Sequence, residues 1–468
     1  MGFGSQRTLM VIFTVCHGQH TFTMLFCAAR PSRMRCMATT SLLTDHYELT
    51  MLQAALASGT AHRMCTFEVF TRRLPAGRRY GVLAGTGRFL EGLDKFRFDD
   101  EELSFLAARN IVNTQTLKYL ENFEFTGTVR GYAEGELFFP HSPVLQVEAT
   151  FAQACVLETY LLSILNYDSA VASAASRMSA AAGTRPCIEM GSRRAHERAA
   201  VSAARAAVIA GFAATSNLEA GRRYGLETVG TSAHAFTLLH DSEREAFEAQ
   251  LRSLGARTTL LVDTYDVDNA VRTAVELAGE ELGGVRLDSG DLVATAQRVR
   301  ELLDSLGNEH TKITVTSDLD EYAIASLAAA PVDSYGVGTK LVTGSGAPTS
   351  SMVYKVVARE NSAGEMEPVA KASAGKASVG GAKRAARKLS PMGIASAELL
   401  SVTEDPAQVE NTRPLMVDFV VDGEHLPGFT GEDAVRAAAA RHQRSLAELP
   451  EAARRLSEGE PVIPTEFI

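Results

Sequence analysis

Two features are missing from this chain of 468 residues, and each absence excludes a class of protein. No apolar run approaches the roughly 20 residues of a membrane-spanning helix, so we expect no membrane protein. The six cysteines form no C-x-x-C pair and none lies beyond residue 187, so neither zinc knuckles nor a disulfide framework is expected. Such cysteine usage is typical of a reducing compartment, and we expect a cytoplasmic location.

An excess of positive charge is also missing. Lysine and arginine number 46 against 56 aspartates and glutamates, which gives a formal net charge of −10 at pH 7. Nucleic acids and anionic membranes bind net or clustered positive charge, so we expect neither as a partner. A small anionic ligand needs only a locally basic pocket and stays compatible with this balance.

Residues 1–36 contain no acidic residue and hold three of the six cysteines. A short apolar run, Leu9–Cys16, follows Arg7 in the manner of a signal peptide, but it is at the short end for such a core and is followed by His17 and His20. We interpret residues 1–36 as a disordered or spurious extension, with a targeting segment as the alternative.

Between about residues 186 and 350, short apolar runs alternate with segments of helical periodicity. Five runs predicted to be strands each end in a polar cluster: Leu226–Gly230, Thr259–Val262, Gly284–Leu287, Ile313–Val315 and Val332–Tyr335. The alternation predicts a parallel sheet, which an α/β barrel and a doubly wound fold share. Polar clusters after all five strands favour the barrel, because a doubly wound sheet would concentrate them at one switch point.

A glycine-rich segment follows the last of these runs. Gly336 and Gly338 allow a close approach of the backbone to a ligand, and consecutive N–H groups form an anion-binding nest. Thr339 adds a hydroxyl group. A plain tight turn is the alternative, but a second pair, Gly344 and Gly346, favours phosphate binding, although no Walker A sequence occurs.

The segment Arg286–Asp291 is more distinctive. Arg286 and Asp288 alternate around one residue and therefore share a strand face. An arginine there can hold a carboxylate or phosphate through two hydrogen bonds, while carboxylates flanking Ser289 and Gly290 suit ribose hydroxyls or Mg²⁺. The alternative is a helix start capped by Asp288 or Ser289, which would not require an inward arginine.

His234 follows Thr231 closely, just after a predicted strand. A lone histidine is often structural, yet among the eleven this one is best placed to act as a nucleophile or to accept a phosphoryl group. Two arginine pairs, Arg193–Arg194 and Arg222–Arg223, suit polyanion binding, with solvated helix faces as the alternative.

Taken in order, these segments resemble nicotinate phosphoribosyltransferase over roughly residues 38–460. The matching segments are Thr44–Met51, Glu189–His196, Ser216–Gly225 with Thr231 and His234, Asp263–Asp266, Arg286–Asp291 and Gly336–Thr339. The resemblance implies the type II phosphoribosyltransferase fold: an α/β N-terminal domain over residues 37–150, an irregular α/β barrel over 151–350, and a C-terminal extension over 351–468.

The resemblance also implies a reaction: nicotinate and phosphoribosyl pyrophosphate give nicotinate mononucleotide, coupled to ATP hydrolysis, as the first step of NAD salvage from nicotinate. It implies that ATP phosphorylates His234, that Tyr47, Thr231 and Arg286 hold nicotinate, and that Thr339 holds the phosphoribosyl substrate. Mg²⁺ and Asp288 are expected to assist the reaction. The remaining residues expected to bind phosphoribosyl or phosphate groups are Arg193, Ser289, Gly290, Gly336 and Gly338.

A homodimer is expected, and either subunit could supply Tyr47 and the basic loop Arg72–Arg79 to a given site. Two alternatives stay open. The same scaffold could use nicotinamide, whose neutral amide would not need Arg286. The chain could instead be an inactive relative that acts as a binding protein, although His234, Arg286, Asp288 and the glycine nest together speak against that.

Overall fold

A computed structural model describes residues 16–17, 20–21, 39–371 and 379–468. The chain divides into two units, Met1–Ala38 and Thr39–Ile468. The described part of the first unit is an antiparallel pair of two-residue strands, β1 (Cys16–His17) and β2 (His20–Thr21). Within the described ranges, no helix is long and apolar enough to cross a membrane.

The second unit begins with helices and strands that end in one long helix. They are α1 (His46–Ser58), β3 (Met64–Thr71), β4 (Gly81–Val82), α2 (Thr86–Leu93), α3 (Asp100–Ala108), α4 (Thr114–Glu121), β5 (Thr128–Tyr132), β6 (Leu137–Phe138), β7 (Leu145–Thr150), α5 (Phe151–Cys155) and α6 (Glu158–Ala182). Helix α6 belongs to two hydrophobic cores. Leu161 and Leu165 pack with the antiparallel strands, whereas Val171 and Met178 pack with the parallel strands that follow.

Residues 187–342 alternate strands and helices. They are β8 (Cys187–Glu189), α7 (Glu197–Ile209), β9 (Ala214–Thr215), α8 (Leu218–Tyr224), α9 (His234–Leu239), α10 (Glu243–Leu254), β10 (Thr259–Leu261), α11 (Val267–Ala278), β11 (Gly284–Leu287), α12 (Leu292–Ser305), β12 (Lys312–Val315), α13 (Glu321–Ser326), β13 (Ser334–Val337) and α14 (Thr339–Val342). The six strands pair in parallel in the order β10-β11-β12-β13-β8-β9. Strands that follow one another in the chain are therefore neighbours in a ring, which β13 and β8 close and which is open only between β9 and β10. This arrangement confirms the irregular α/β barrel, because a doubly wound sheet reverses its strand order at a switch point.

One predicted strand differs in the structure, and it lies where the ring is open. Of Leu226–Gly230, only Thr228 forms a bridge, to Thr215 of β9, so the prediction of a full strand was wrong. Side chains link the two sides of this gap instead. Ser232 Oγ donates to Gln250 Oε1 (2.8 Å), and Gln250 Nε2 donates to the carbonyl oxygen of Thr259 (3.0 Å). The segment after Thr228 therefore lies beside β10 without joining it.

The last part of the chain forms strands and one long helix. They are β14 (Met352–Glu360), β15 (Met366–Pro368), β16 (Arg384–Leu389), β17 (Ala395–Ser401), β18 (Thr412–Pro414), β19 (Met416–Val421), β20 (Glu424–His425), α15 (Gly431–Ala447) and β21 (Thr465–Phe467). A seven-stranded antiparallel sheet has the order β15-β14-β3-β7-β5-β19-β20, and a four-stranded sheet has the order β18-β16-β17-β21. Strands from both predicted outer segments, 37–150 and 351–468, therefore share one sheet.

A buried ion pair of the four-stranded sheet is hydrogen-bonded to the seven-stranded sheet. Arg387 of β16, which is 0% exposed, donates through Nη2 to Glu398 Oε2 of β17 (3.0 Å) and to the carbonyl oxygen of Leu137 (2.8 Å). The hydroxyl of Tyr132, on β5 of the antiparallel sheet, donates to Glu398 Oε1 (2.8 Å). Both carboxylate oxygens of Glu398 therefore have partners, as a buried charge requires.

Candidate functional site

His234 lies among polar side chains that follow β10 and β11. As the first residue of α9, it places Nδ1 3.2 Å from Thr264 Oγ1. Its Nε2 atom lies 3.9 Å from Asp263 Oδ1 and 3.8 Å from Asp288 Oδ2. The side chain of His234 is 40% exposed, so this imidazole faces two carboxylates and is still open to a substrate.

Asp263 holds the loop after β11 in place, a role that the predicted site residues did not include. Its Oδ2 atom accepts hydrogen bonds from the backbone N–H of Asp288 (2.9 Å) and from Ser289 Oγ (2.7 Å). The side chain is only 4% exposed, and Oδ1 is buried without a hydrogen-bond partner among the described residues. The sequence signal that could have identified this role is the polar cluster Asp263–Asp266, which directly follows an apolar run.

Arg286 reaches from β11 across the opening of the ring. Its Nη1 donates to Thr231 Oγ1 (3.3 Å) and its Nη2 to the carbonyl oxygen of Ser232 (2.8 Å). The Nε atom is buried and has no hydrogen-bond partner in the part of the chain that the structure describes. Burial lowers the pKa of Arg286, against the opposite effect of the Asp288 and Asp263 carboxylates. The guanidinium is therefore a fixed, partly desolvated positive charge.

Asp288 shares this part of the ring with Arg286, as their alternation along the strand predicts. Its Oδ1 atom accepts a hydrogen bond from Thr316, which follows β12, and its Oδ2 atom faces His234. Gly290, two residues further on, has a φ of 82° with open space where a side chain would start. The Asp288–Gly290 loop therefore presents a carboxylate and an uncovered backbone.

The glycine nest spans the end of β13, with Gly336 inside the strand and Gly338 directly after it. A Cβ atom on Gly336 would lie 2.5 Å from Thr316 Cγ2 and 2.7 Å from Met190 Sδ, so close packing between strands requires this glycine. Thr339 is the first residue of α14. Arg193 lies in the turn Ser192–Arg194 after β8, near enough to Arg286 to lower its pKa further. Thr339 and Arg193 therefore both follow the carboxyl ends of barrel strands.

Tyr47 lies elsewhere, on α1, and its side chain is exposed. Partial burial of its hydroxyl, together with the charges of Glu158 and Glu48, raises the pKa of Tyr47 to about 12. These neighbours belong to α1 and to the start of α6. Within this subunit, the structure therefore groups Tyr47 with the antiparallel sheet and its helices.

The second predicted arginine pair is engaged with carboxylates. Arg222 donates to Glu219 on its own exposed helix surface, and Arg223 donates to Glu91 of α2. Arg222 thus matches the alternative of a solvated helix face.

The ring of parallel strands, with histidine, aspartate and arginine at its carboxyl ends, defines an α/β-barrel protein with its site where enzymes of this fold carry catalytic residues. Residues 42–166 match the nicotinate phosphoribosyltransferase (NAPRTase) N-terminal domain, and residues 186–413 match the nicotinate phosphoribosyltransferase (NAPRTase) family. The chain belongs to the nicotinate phosphoribosyltransferase family, which confirms the resemblance inferred from its motifs.

Individual relatives agree with this family. The chain is 53% identical over 436 residues to nicotinate phosphoribosyltransferase pncB1 of Mycobacterium tuberculosis, covering 91% of this chain and 95% of the relative. It is 39% identical over 330 residues to the nicotinate phosphoribosyltransferase of Bacillus subtilis, covering 68% and 67%. The crystal structure of human nicotinic acid phosphoribosyltransferase superposes with a TM-score of 0.77 at 27% identity, covering 91% of this chain and 97% of that one.

Proposed function

We propose that this protein transfers the phosphoribosyl group of phosphoribosyl pyrophosphate to nicotinate, forming nicotinate mononucleotide and pyrophosphate, with coupling to ATP hydrolysis. The reaction is the first step of NAD salvage from nicotinate. The observation that carries the proposal is Arg286, a fixed guanidinium beside Thr231 within a ring that also holds His234. A guanidinium with an adjacent hydroxyl suits the carboxylate of nicotinate, whereas a neutral amide would gain much less from it.

In the transfer step, the pyridine nitrogen of nicotinate attacks the anomeric carbon of the ribose. A C–N bond forms, the bond to the pyrophosphate oxygen breaks, and pyrophosphate leaves with the electron pair. Positive charge develops on the ribose, and Asp288 supplies a carboxylate that stabilises it. We assign the phosphate groups of the substrate to the strand ends that carry Arg193, Ser289, Gly290, Gly336, Gly338 and Thr339.

His234 is the proposed acceptor of the γ-phosphoryl group of ATP. A P–N bond forms at the imidazole, the P–O bond to ADP breaks, and water later releases phosphate. Asp263 and Asp288 lie 3.9 Å and 3.8 Å from Nε2 and favour the cationic ring that forms during the transfer. A phosphate bound here adds about −1.5 to −2 of charge beside these loops, which gives ATP a means to change their positions.

Mg²⁺ fits the donor set at this site. It usually keeps several waters and binds one or two carboxylates together with substrate phosphates. Asp263 Oδ1 is a buried carboxylate oxygen without a hydrogen-bond partner among the described residues, and Asp288 is close by. No group of three or more protein ligands able to hold a metal occurs in the described ranges. Asp263 and Asp288 would hold the ion, which would supply positive charge beside the leaving pyrophosphate.

We further propose a homodimer whose interface covers the mouth of the ring. Large apolar side chains there are exposed: Leu218 (77%), Leu238 (62%), Leu239 (78%) and Tyr265 (62%). Helix α1 also exposes Tyr47 (46%) and Met51 (37%). Seating α1 of one subunit on the ring of the other would bury both sets and bring Tyr47 to a nicotinate ring.

A cytoplasmic location is proposed from the cysteines. Cys65, Cys155 and Cys187 are free and buried, a state that a reducing compartment preserves. Fractionation of cells that express the protein, followed by detection in the cytoplasmic fraction, tests this location.

A product assay tests the main proposal. The protein is incubated with phosphoribosyl pyrophosphate and either nicotinate or nicotinamide, with and without ATP, and the mononucleotides are quantified. We expect nicotinate mononucleotide, formed faster with ATP. Preferential turnover of nicotinamide would replace the substrate assignment with the amide alternative, and no turnover of either would favour an inactive binding protein.

The role of His234 is tested separately with γ-labelled ATP. His234→Ala is expected to incorporate no label, whereas the matched control His310→Ala, which changes an exposed histidine, is expected to incorporate label as the wild type does. Wild-type labelling of His234→Ala would overturn the phosphorylation assignment.

A further inference from the structure

A buried carboxylate, Glu321, connects the basic loop Arg72–Arg79 to the segment that follows the glycine nest. Glu321 is the first residue of α13 and is 1% exposed. Its Oε1 atom accepts hydrogen bonds from Arg78 Nη1 (2.9 Å) and Arg177 Nε (3.1 Å), and its Oε2 atom accepts one from Ser345 Oγ (2.6 Å). Burial raises the pKa of Glu321, but the hydrogen bond from Ser345 and the charge of Arg78 bring it below its ordinary value.

The partners of Glu321 hold the turn after α14. Arg78 Nη2 donates to the carbonyl oxygen of Gly344 (2.8 Å), so one guanidinium bridges Glu321 and this turn. The backbone N–H of Ser345 donates to the carbonyl oxygen of Lys340 (2.6 Å), which ties the turn back to the start of α14. A displacement of Ser345 would therefore be transmitted directly to Lys340 and its neighbour Thr339.

The turn adopts a conformation that needs external support. Gly344, Ser345 and Gly346 all have left-handed backbones, with φ of 66°, 48° and 84°. For a residue with a side chain, such as Ser345, this conformation is unfavourable because Cβ crowds the neighbouring carbonyl oxygen. Conformations of this kind persist where the surroundings hold them in place, and they occur often at ligand sites. The Glu321–Ser345 hydrogen bond supplies that support.

We infer that Glu321 is a positioning residue for the phosphoribosyl substrate, acting through Ser345 and Arg78 on Thr339 and Lys340. This inference rests on the proposed function, which assigns the phosphoribosyl group to Thr339. It also gives the basic loop a role other than anion binding. Arg78 is only 6% exposed and bonds to Glu321 and Gly344 inside the subunit, so we assign it to the support of the turn and not to substrate contact.

Steady-state kinetics with two variants tests the inference. Ser345→Ala removes one hydrogen bond to Glu321, and Arg78→Lys keeps the charge but cannot bridge Glu321 and Gly344 with one ammonium. Each is expected to raise the KM for phosphoribosyl pyrophosphate by about 3- to 10-fold, since a hydrogen bond to a charged group is lost. The KM for nicotinate and kcat are expected to stay within about 2-fold of wild type, because Arg286 lies on β11 and His234 on α9, away from this turn.

A matched control and a double variant separate positioning from general loss of structure. Ser326→Ala removes a hydroxyl from the exposed end of the same helix, where Ser326 Oγ bonds to Ala323, and should leave every constant unchanged. The double variant Arg78→Lys/Ser345→Ala should raise the KM for phosphoribosyl pyrophosphate by less than the product of the single effects, because both act through Glu321. A multiplicative effect, or an equal rise in both KM values, would overturn the inference.

Hydrogen–deuterium exchange provides a readout that does not depend on activity. Ser345→Ala and Arg78→Lys should speed amide exchange at residues 343–346, and Ser326→Ala should not. Wild-type exchange at this turn in both variants would overturn the inference even if the proposed reaction is correct. Conversely, a wild-type protein without turnover would count against the proposed reaction, whereas the exchange data would still show whether the partners of Glu321 hold this turn.

Discussion

At the scale of single residues, the fixed position of Arg286 determines which substrate the site favours. Its guanidinium is held by Thr231 and Ser232, so its direction is set before any ligand binds. Preorganised charge of this kind gains affinity because little side-chain freedom is lost on binding. We therefore expect Arg286 to act mainly on nicotinate and to affect the phosphoribosyl substrate much less.

Replacement of Arg286 by glutamine tests this expectation. Arg286→Gln should raise the KM for nicotinate by about 10- to 100-fold, because a charge-assisted hydrogen-bond pair to the carboxylate is lost. The KM for phosphoribosyl pyrophosphate should change by less than about 2-fold. Arg298→Gln, which removes an exposed ion pair with Asp268, is the matched control. Equal increases in both KM values would contradict the assignment of Arg286 to nicotinate.

Asp263 permits a substitution that separates charge from structure. Its Oδ2 atom accepts both structural hydrogen bonds, from Asp288 and Ser289, while Oδ1 faces His234. An asparagine can keep its oxygen at the Oδ2 position and place its amide group toward His234. Asp263→Asn should therefore keep the fold but lower the rate of His234 phosphorylation by at least about 10-fold.

Phosphorylation by γ-labelled ATP and the thermal midpoint of unfolding are both measured for Asp263→Asn. Asp268→Asn, at an exposed carboxylate on α11, is the control. A variant with a wild-type phosphorylation rate would show that the charge of Asp263 does not act on His234.

At the scale of elements, the Arg387–Glu398 pair lies within the four-stranded sheet, and Tyr132 connects it to the seven-stranded sheet. Arg387→Met should lower the free energy of unfolding by about 3–5 kcal/mol, because it leaves Glu398 buried without its cation. The double variant Arg387→Met/Glu398→Leu should recover part of this loss. Chemical denaturation gives both values. Arg436→Met, at an exposed pair on α15, should have no measurable effect, and a similar loss there would argue against burial as the cause.

Helices α6 and α15 meet at a histidine that makes stability depend on pH. His442 Nε2 lies 2.9 Å from Ser176 Oγ, and burial lowers the pKa of His442 from 6.5 to about 4. Between these values the unfolded chain takes up a proton that the folded chain does not. The contribution of neutral His442 to stability is therefore fully present above pH 6.5 and is lost as the pH falls through 4, by about 3 kcal/mol.

His442→Gln removes this titration and keeps a polar partner for Ser176. We expect a smaller loss of stability between pH 6.5 and 4 than in the wild type, measured by denaturant unfolding at each pH. His310→Gln, at an exposed histidine, is the matched control. An unchanged pH dependence in His442→Gln would contradict this assignment.

Sequence patterns correctly predicted the elements whose formation depends on residues adjacent in the sequence. The run Gly284–Leu287 matches β11 residue for residue, because apolar side chains followed by a polar cluster are a local signal. The strand predicted at Leu226–Gly230 failed because its pairing partner depends on the ring, which is open there. The role of Asp263 was missed for a similar reason, since its hydrogen bonds join two loops that are distant in sequence.

At the scale of the whole molecule, a dimer predicts that two variants, each impaired at nicotinate concentrations well below its own KM, can restore one site when mixed. If Tyr47 completes the ring of the partner subunit, a mixed dimer of Tyr47→Ala and Arg286→Gln contains one intact site. Random reassortment should then recover about one quarter of wild-type activity. A mixture of His234→Ala and Arg286→Gln should recover none, because both residues lie in one ring. No recovery in the first mixture would place Tyr47 in its own subunit's site or outside both sites.

The seven-stranded antiparallel sheet, which combines strands from both ends of the chain, also affects folding during translation. Strand β3 pairs with β14, and β5 pairs with β19, so early strands must wait for partners synthesised after the entire ring. During translation, β3 and β5 keep unsatisfied edges while residues 187–342 leave the ribosome. Ribosome-bound chains that stop before β14 should therefore be prone to aggregation and dependent on chaperones, even where their barrel strands have already assembled.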